Sequence, residues 1–173
     1  PSFRIGPWAT PLGGKANMPY RITRSHEIDA GHRVCGHLGK CAHLHGHRYR
    51  FDLTCEPEAG LDALGMVVDF AVLKDRLCSW LDAHWDHRML LWVHDPLFER
   101  LADIDPGVVA LPCNPTAENL AQHVVEVIAP PLLVGTHVRL VACAVHETAK
   151  CSANFALDAS VRVLWAEPAD LLG

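Results

Sequence analysis

The segment His45-Gly46-His47, running into Arg48-Tyr49-Arg50-Phe51-Asp52-Leu53-Thr54-Cys55, constrains this chain more than any other. It reads as a β-strand over 47–55, with Tyr49, Phe51, Leu53 and Cys55 on the face that also carries His47. Strand side chains alternate with period two, so His45 and His47 project to one face. Gly46 between them has no side chain to crowd the other face. The strand ends a run, 31–47, that holds five of the twelve histidines and two of the seven cysteines. With His32 arriving from upstream, three imidazoles leave a fourth position open, which is the donor set of a catalytic zinc rather than a structural one. The alternative is a structural zinc knot from Cys35, Cys41, His45 and His47. Its weakness is spacing: such sites usually set their histidines about three to five residues apart on a helix, and no CxxC is present here.

Composition narrows the function classes. At 173 residues the chain is long enough for one domain with a buried core. A formal net charge of −5 leaves no basic stripe to neutralise phosphates, so no nucleic-acid partner is expected. The seven cysteines are scattered without the spacing of a disulfide framework, which points to a reducing, cytoplasmic compartment. No apolar run reaches the length of a membrane span, and the most apolar one, 128–134, is broken by Pro130-Pro131. No secretory signal pattern and no membrane partner are expected. Residues 1–17 are rich in Gly and Pro and precede Met18. They read as a flexible or vector-derived tail before a single domain over 18–173.

Along the chain, 20–30 reads as a first strand and 47–55 as a second, followed by a turn over 57–65. Asp69-Phe70 opens a helix with Phe70, Leu73, Leu77 and Leu81 at helical spacing. The stretch 85–113 reads as irregular, with Asp95-Pro96 and Asp105-Pro106-Gly107 as turn signals. Asn114-Pro115-Thr116 starts a second helix whose stripe is Leu120, Val124, Val127 and Ile128. After Pro130-Pro131 come two strands, about 137–147 and 153–165. In the latter, Ala153, Phe155, Leu157, Ala159, Val161, Val163 and Trp165 face one way. The expected fold class is α+β: a four-stranded antiparallel sheet with two helices packed on one face.

Several short segments together resemble the 6-pyruvoyl-tetrahydropterin synthase / 6-carboxy-tetrahydropterin synthase family. They are Ala30-Gly31-His32, Cys41 through His47, Gly65-Met66-Val67-Val68-Asp69-Phe70 with Leu73-Lys74, Asp86-His87, Pro115-Thr116-Ala117-Glu118-Asn119-Leu120-Ala121, and Glu147-Thr148. They follow the family's order over residues 20 to about 155. Departures are small: Asp29 precedes the Ala-Gly-His motif, Gly31 stands where alanine is frequent, and His43 where a basic residue is common. The segment 88–113 is longer than in short members.

The resemblance implies a tunnelling fold, a Zn2+ cofactor and 7,8-dihydroneopterin triphosphate as substrate. It assigns the metal to His32, His45 and His47, and a catalytic thiol to Cys41. A base beside a Lewis acid suits proton abstraction from a carbon next to a hydroxyl. Cys41 lies in a polar loop beside Lys40 rather than in an apolar run, and Cys35 is the rival. Asp86 and His87 match the family's acid–base pair, where a carboxylate can hold an imidazole in one tautomer. His84 nearby is a helix-end histidine. Glu147 matches the pterin anchor, because a carboxylate can accept from a ring's amino edge as it does from arginine. Thr116 and Glu118 belong to the helix-start motif that approaches the ring, although Thr116 is equally suited to capping.

Two activities exist within the family. In the carboxy type the thiol lies four residues before the first histidine of His-Gly-His, and Cys41 to His45 is four. The resemblance therefore favours 6-carboxy-tetrahydropterin synthase, which releases acetaldehyde and triphosphate on the route to queuosine. Alternatives are the pyruvoyl activity, a non-catalytic zinc- or pterin-binding protein of the same fold, and a retro-aldol enzyme acting on unphosphorylated dihydroneopterin. Members assemble as trimers or hexamers with active sites between subunits, and an exposed four-stranded sheet with two free edges would favour such assembly.

Overall fold

The computed structural model describes residues 20–158. The expected 1–17 tail and the outer half of the last expected strand, including Ala159, Val161, Val163 and Trp165, lie outside them. One six-stranded sheet runs in the order β4-β3-β1-β2-β5-β6. Its strands are β1 (Ile22–His32), β2 (His45–Pro57), β3 (Met89–Trp92), β4 (Val109–Leu111), β5 (Val138–Thr148) and β6 (Cys151–Ala156). β1, β2, β5 and β6 form an antiparallel ladder. β3 and β4 extend it in parallel from the β1 edge.

The expected four-stranded antiparallel sheet is therefore corrected to a six-stranded mixed one. Both additional strands come from 85–113, the segment read as irregular. Met89-Leu90-Leu91-Trp92 and Val109-Ala110-Leu111 are too short to express a period. Pairing makes them strands, β3 against β1 and β4 against β3. The segment also contains a short helix, α3 (Phe98–Ile104), in addition to the two expected.

Two longer helices cover the inner face. The first is built from α1 (Phe70–Leu73), a π turn over Lys74–Cys78, and α2 (Ser79–His84). Asp69 caps it by accepting from the Ala71 N–H at 2.8 Å. The second consists of α4 (Ala117–His123), a π turn over Val124–Ile128, and α5 (Ala129–Leu133). Both prolines of Pro130-Pro131 lie inside α5. A proline lacks an N–H and clashes with the carbonyl one turn back. The π turn, with Ala129 N–H bonded to the Val124 carbonyl, re-registers the backbone just before them.

The core lies between these helices and the sheet. Tyr49, Phe51, Leu53 and Cys55 from β2 meet Leu73, Leu77 and Leu81, and Leu120, Val124 and Ile128. Phe70 and Val127 are exposed, so the apolar stripes are narrower than read. Burying each large apolar side chain stabilises the fold by about 1.5–3 kcal/mol. The outer face is polar, with Ser25–Asp52, Asp29–Arg48 and His146–Asp52 contacts. Among the described residues no helix is long and apolar enough to cross a membrane.

Candidate active site

β1 ends and β2 begins side by side, and this places the three histidines. His32 pairs with His45 in register, and Ala30 with His47. The strands approach closely at Gly46, where a Cβ would stand 3.0 Å from the Ala30 carbonyl oxygen. His32, His45 and His47 each offer a nitrogen, all within 4.8 Å of one another. Among the described residues no cysteine joins a metal-capable group, which counts against the structural knot.

The tautomers follow from the partners. His32 Nδ1–H donates to the Pro115 carbonyl at 2.7 Å, and His45 Nδ1–H donates to the His43 carbonyl at 2.8 Å. A carbonyl can only accept, so each ring keeps its lone pair on Nε2 when neutral. These two Nε2 atoms stand 3.1 Å apart. Two lone pairs so close repel unless a cation lies against both, and neutral imidazoles are suitable donors for zinc. Burial keeps the His32 ring neutral. His32 is pushed down to about 4, chiefly by burial, against its Pro115 bond and with help from His45 and His47. Burial also lowers His47, which the nearby Glu147 partly offsets.

Other expected residues surround this centre. Cys41, half-buried in a short 3-10 turn over Lys40–Ala42, holds its carbonyl against the Val34 N–H at 2.8 Å. Glu147 lies near the end of β5, at an irregularity in its pairing with β6, and acts by charge on both His47 and Tyr49. Tyr49 is fully buried, with its ring edge-on to His32 and His47. Burial pushes its phenol up, and the charges of Glu147 and Cys41 add to this. Its hydroxyl has no hydrogen-bond partner among the described residues. Thr116 is the N-cap of α4, accepting from the Asn119 N–H at 3.3 Å, and Glu118 is exposed in the first turn.

The Asp86–His87 pair lies elsewhere. His87 Nδ1 meets Asp86 Oδ2 at 2.8 Å, and Asp86 Oδ1 accepts from the Asp29 N–H at 2.8 Å. Burial pushes the Asp86 carboxyl up, but the Asp29 N–H and the His87 ring outweigh it and hold it below its usual range. His87 has φ of +56°, a left-handed conformation uncommon for a side chain of this size. Its side chain is 78% exposed. His87 lines a groove of about 550 Å³ with Asp29, His47, Arg48 and Arg88. Among the described residues no hydrogen bond joins the pair to the three histidines or to Cys41.

Two features of the site have no local signature. Asn114 binds the Cys35 peptide across 79 positions. Arg33 Nε approaches the buried Asp95 at 3.0 Å, a charge contact at the base of the histidine loop. Residues 21–157, which span the three histidines, the thiol loop and Glu147, match the family model 6-pyruvoyl tetrahydropterin synthase.

The chain belongs to this family.

Curated relatives within reach are named for the carboxy activity. The 6-carboxy-5,6,7,8-tetrahydropterin synthase of Rickettsia bellii is 39% identical over 133 residues, covering 76% of this chain and 96% of that protein. Its namesake from Rickettsia felis is 38% identical over the same shares. Among solved structures, an uncharacterized protein from Wolinella succinogenes superposes with a TM-score of 0.70 at 24% identity, covering 80% of this chain and 98% of that one. The 6-pyruvoyl tetrahydropterin synthase of Caenorhabditis elegans gives 0.55 at 23%, covering 82% and 98%. At these identities the structural likeness speaks for the family's fold alone.

Proposed function

We propose that this protein is a 6-carboxy-5,6,7,8-tetrahydropterin synthase. It converts 7,8-dihydroneopterin triphosphate and one water to 6-carboxy-5,6,7,8-tetrahydropterin with release of acetaldehyde and triphosphate, in the cytoplasm and on the route to queuosine. The observation that carries this reading is the match to relatives of that name over nearly their whole length. The four-residue step from Cys41 to His45 agrees with it.

His32, His45 and His47 hold zinc, which supplies a Lewis acid for the oxygens of the substrate's side chain. Glu147 accepts from the amino edge of the pterin and so aims that side chain at the centre. Thr116 and Glu118, at the start of α4, flank the ring. Cys41 takes the proton from the side-chain carbon. Asp86 holds His87 in one tautomer, and His87 returns a proton to the product. In one chain His87 lines the groove of Asp29 and Arg48, so the reading assigns the pair to the site of a neighbouring copy in a trimer or hexamer. Such assembly also covers the edges at β4 and β6 that the described residues leave unpaired.

The family's own name favours a second reading, the 6-pyruvoyl activity. One assay separates them: incubate the zinc-loaded protein with 7,8-dihydroneopterin triphosphate and identify products by mass spectrometry. Acetaldehyde with the carboxy-pterin is the expected outcome. A pyruvoyl product without acetaldehyde overturns the carboxy reading, and unchanged substrate overturns both.

A further inference from the structure

The start of α4 holds the metal centre and the thiol loop at once. Cys35 N–H donates to Asn114 Oδ1 at 2.8 Å, and Asn114 Nδ2–H donates to the Cys35 carbonyl at 3.0 Å. One rigid amide thus satisfies both polar groups of that residue's backbone, as a strand partner would. Within the loop, Val34 N–H donates to the Cys41 carbonyl at 2.8 Å. The backbone carrying Cys41 is therefore tied to the residue just before the one Asn114 grips. Asn114 is itself fixed, since its carbonyl accepts from Asn119 Nδ2 and from the Thr116 N–H, both at 2.8 Å. The next residue, Pro115, receives the His32 Nδ1–H.

We propose that Asn114 is a positioning residue that sets the Cys41 thiol relative to the three-histidine centre. The inference rests on the reading of Cys41 as the group that takes the substrate proton. Adjacent residues, Asn114 and Pro115, carry the two anchors, so the thiol loop and the first metal ligand share one reference frame. Without the amide, Cys35 loses both its backbone partners. The remaining anchor at the base of the loop, Arg33 to Asp95, ties it to a different part of the chain. The loop is then free to shift on its Cys41 side. A displacement of about 1 Å in a reacting group lowers a rate by roughly 100-fold.

The test uses the zinc-loaded full chain with Asn114→Ala, Asn114→Asp and Cys41→Ala. Asn114→Ala should keep its zinc and a near-normal KM for 7,8-dihydroneopterin triphosphate, while kcat falls by about 10–100-fold. Site-resolved mass spectrometry should find Cys41 alkylated faster by iodoacetamide than in the parent. Asn114→Asp keeps the acceptor for the Cys35 N–H and loses the donor, so its kcat and alkylation rate should fall between. A purely structural residue would lower the melting temperature and leave kcat and Cys41 alkylation of the folded protein unchanged, and that result overturns the inference. If Asn114→Ala does not fold, Asn114→Asp decides by the same two readouts. Cys41→Ala separates the layers. If it is inactive while the Asn114 variants match the parent, only the positioning role fails. If it turns over normally, the role of Cys41 fails and the inference with it.

Discussion

His32 Nε2 and His45 Nε2 face each other at 3.1 Å across a β1–β2 register pair, while each ring donates its Nδ1–H to a backbone carbonyl. The backbone has already chosen the tautomers, so the two lone pairs converge before any cation arrives. This is pre-organisation of a metal site by its supporting carbonyls.

Metal removal should therefore weaken the fold. Purified protein should carry zinc, and His45→Ala should lose it. Zinc at about 100 times its dissociation constant should add about 2.7 kcal/mol, a rise of roughly 5–10 °C in melting temperature over chelated protein. Calorimetry with and without chelator checks this. A melting temperature indifferent to zinc would sink the metal assignment.

Glu147→Gln should weaken pterin binding by about 1–3 kcal/mol, because an amide nitrogen would face the ring's donors where a carboxylate oxygen accepted. The loss should be the same for every pterin, whatever its side chain. Titration calorimetry with two pterins differing only in the side chain measures it. Unaltered affinity would move the anchor to another carboxylate.

Tyr49→Phe should leave stability unchanged or raise it. Among the described residues the hydroxyl is buried without a partner, and such a group costs about 1–3 kcal/mol. Tyr49→Ala, by contrast, should cost about 3–5 kcal/mol, as loss of a buried aromatic ring does. Urea unfolding of the two variants compares them. A marked loss in Tyr49→Phe would mean that the hydroxyl has found a partner.

The core thiols set an alkaline limit. Burial pushes Cys55 and Cys143 from 9.0 up to about 12. A raised folded pKa means that above pH 9 the unfolded chain gives up protons the folded chain keeps. Stability should be full below pH 9 and decline as pH rises toward 12. The decline should be smaller in Cys55→Ala than in the parent, measured from denaturation midpoints at pH 8 and pH 10.5. At pH 8 both thiols should resist iodoacetamide until the protein is unfolded, whereas exposed Cys151 reacts.

Where the chemistry is local, the sequence alone was sufficient. Two-residue alternation put His45 and His47 on one face, and the structure finds both beside His32. Asp69 caps its helix and Thr116 caps α4, because capping is decided within about three residues. The burial of Tyr49, Phe51, Leu53 and Cys55 followed from the same alternation.

What the sequence could not decide depends on partners far along the chain. β3 and β4 are runs of four and three residues that become strands only by hydrogen bonding, β3 to β1 and β4 to β3. The prolines at 130 and 131 stay helical because a π turn adjusts the register before them. Asn114 reaches Cys35 over 79 positions, and His32 reaches Pro115 over 83. Periodicity and capping are properties of a few neighbouring residues, so they are written in any short window. The groups that clamp the thiol loop and orient His32 meet only when the sheet closes against α4, and that meeting is a property of the tertiary structure alone.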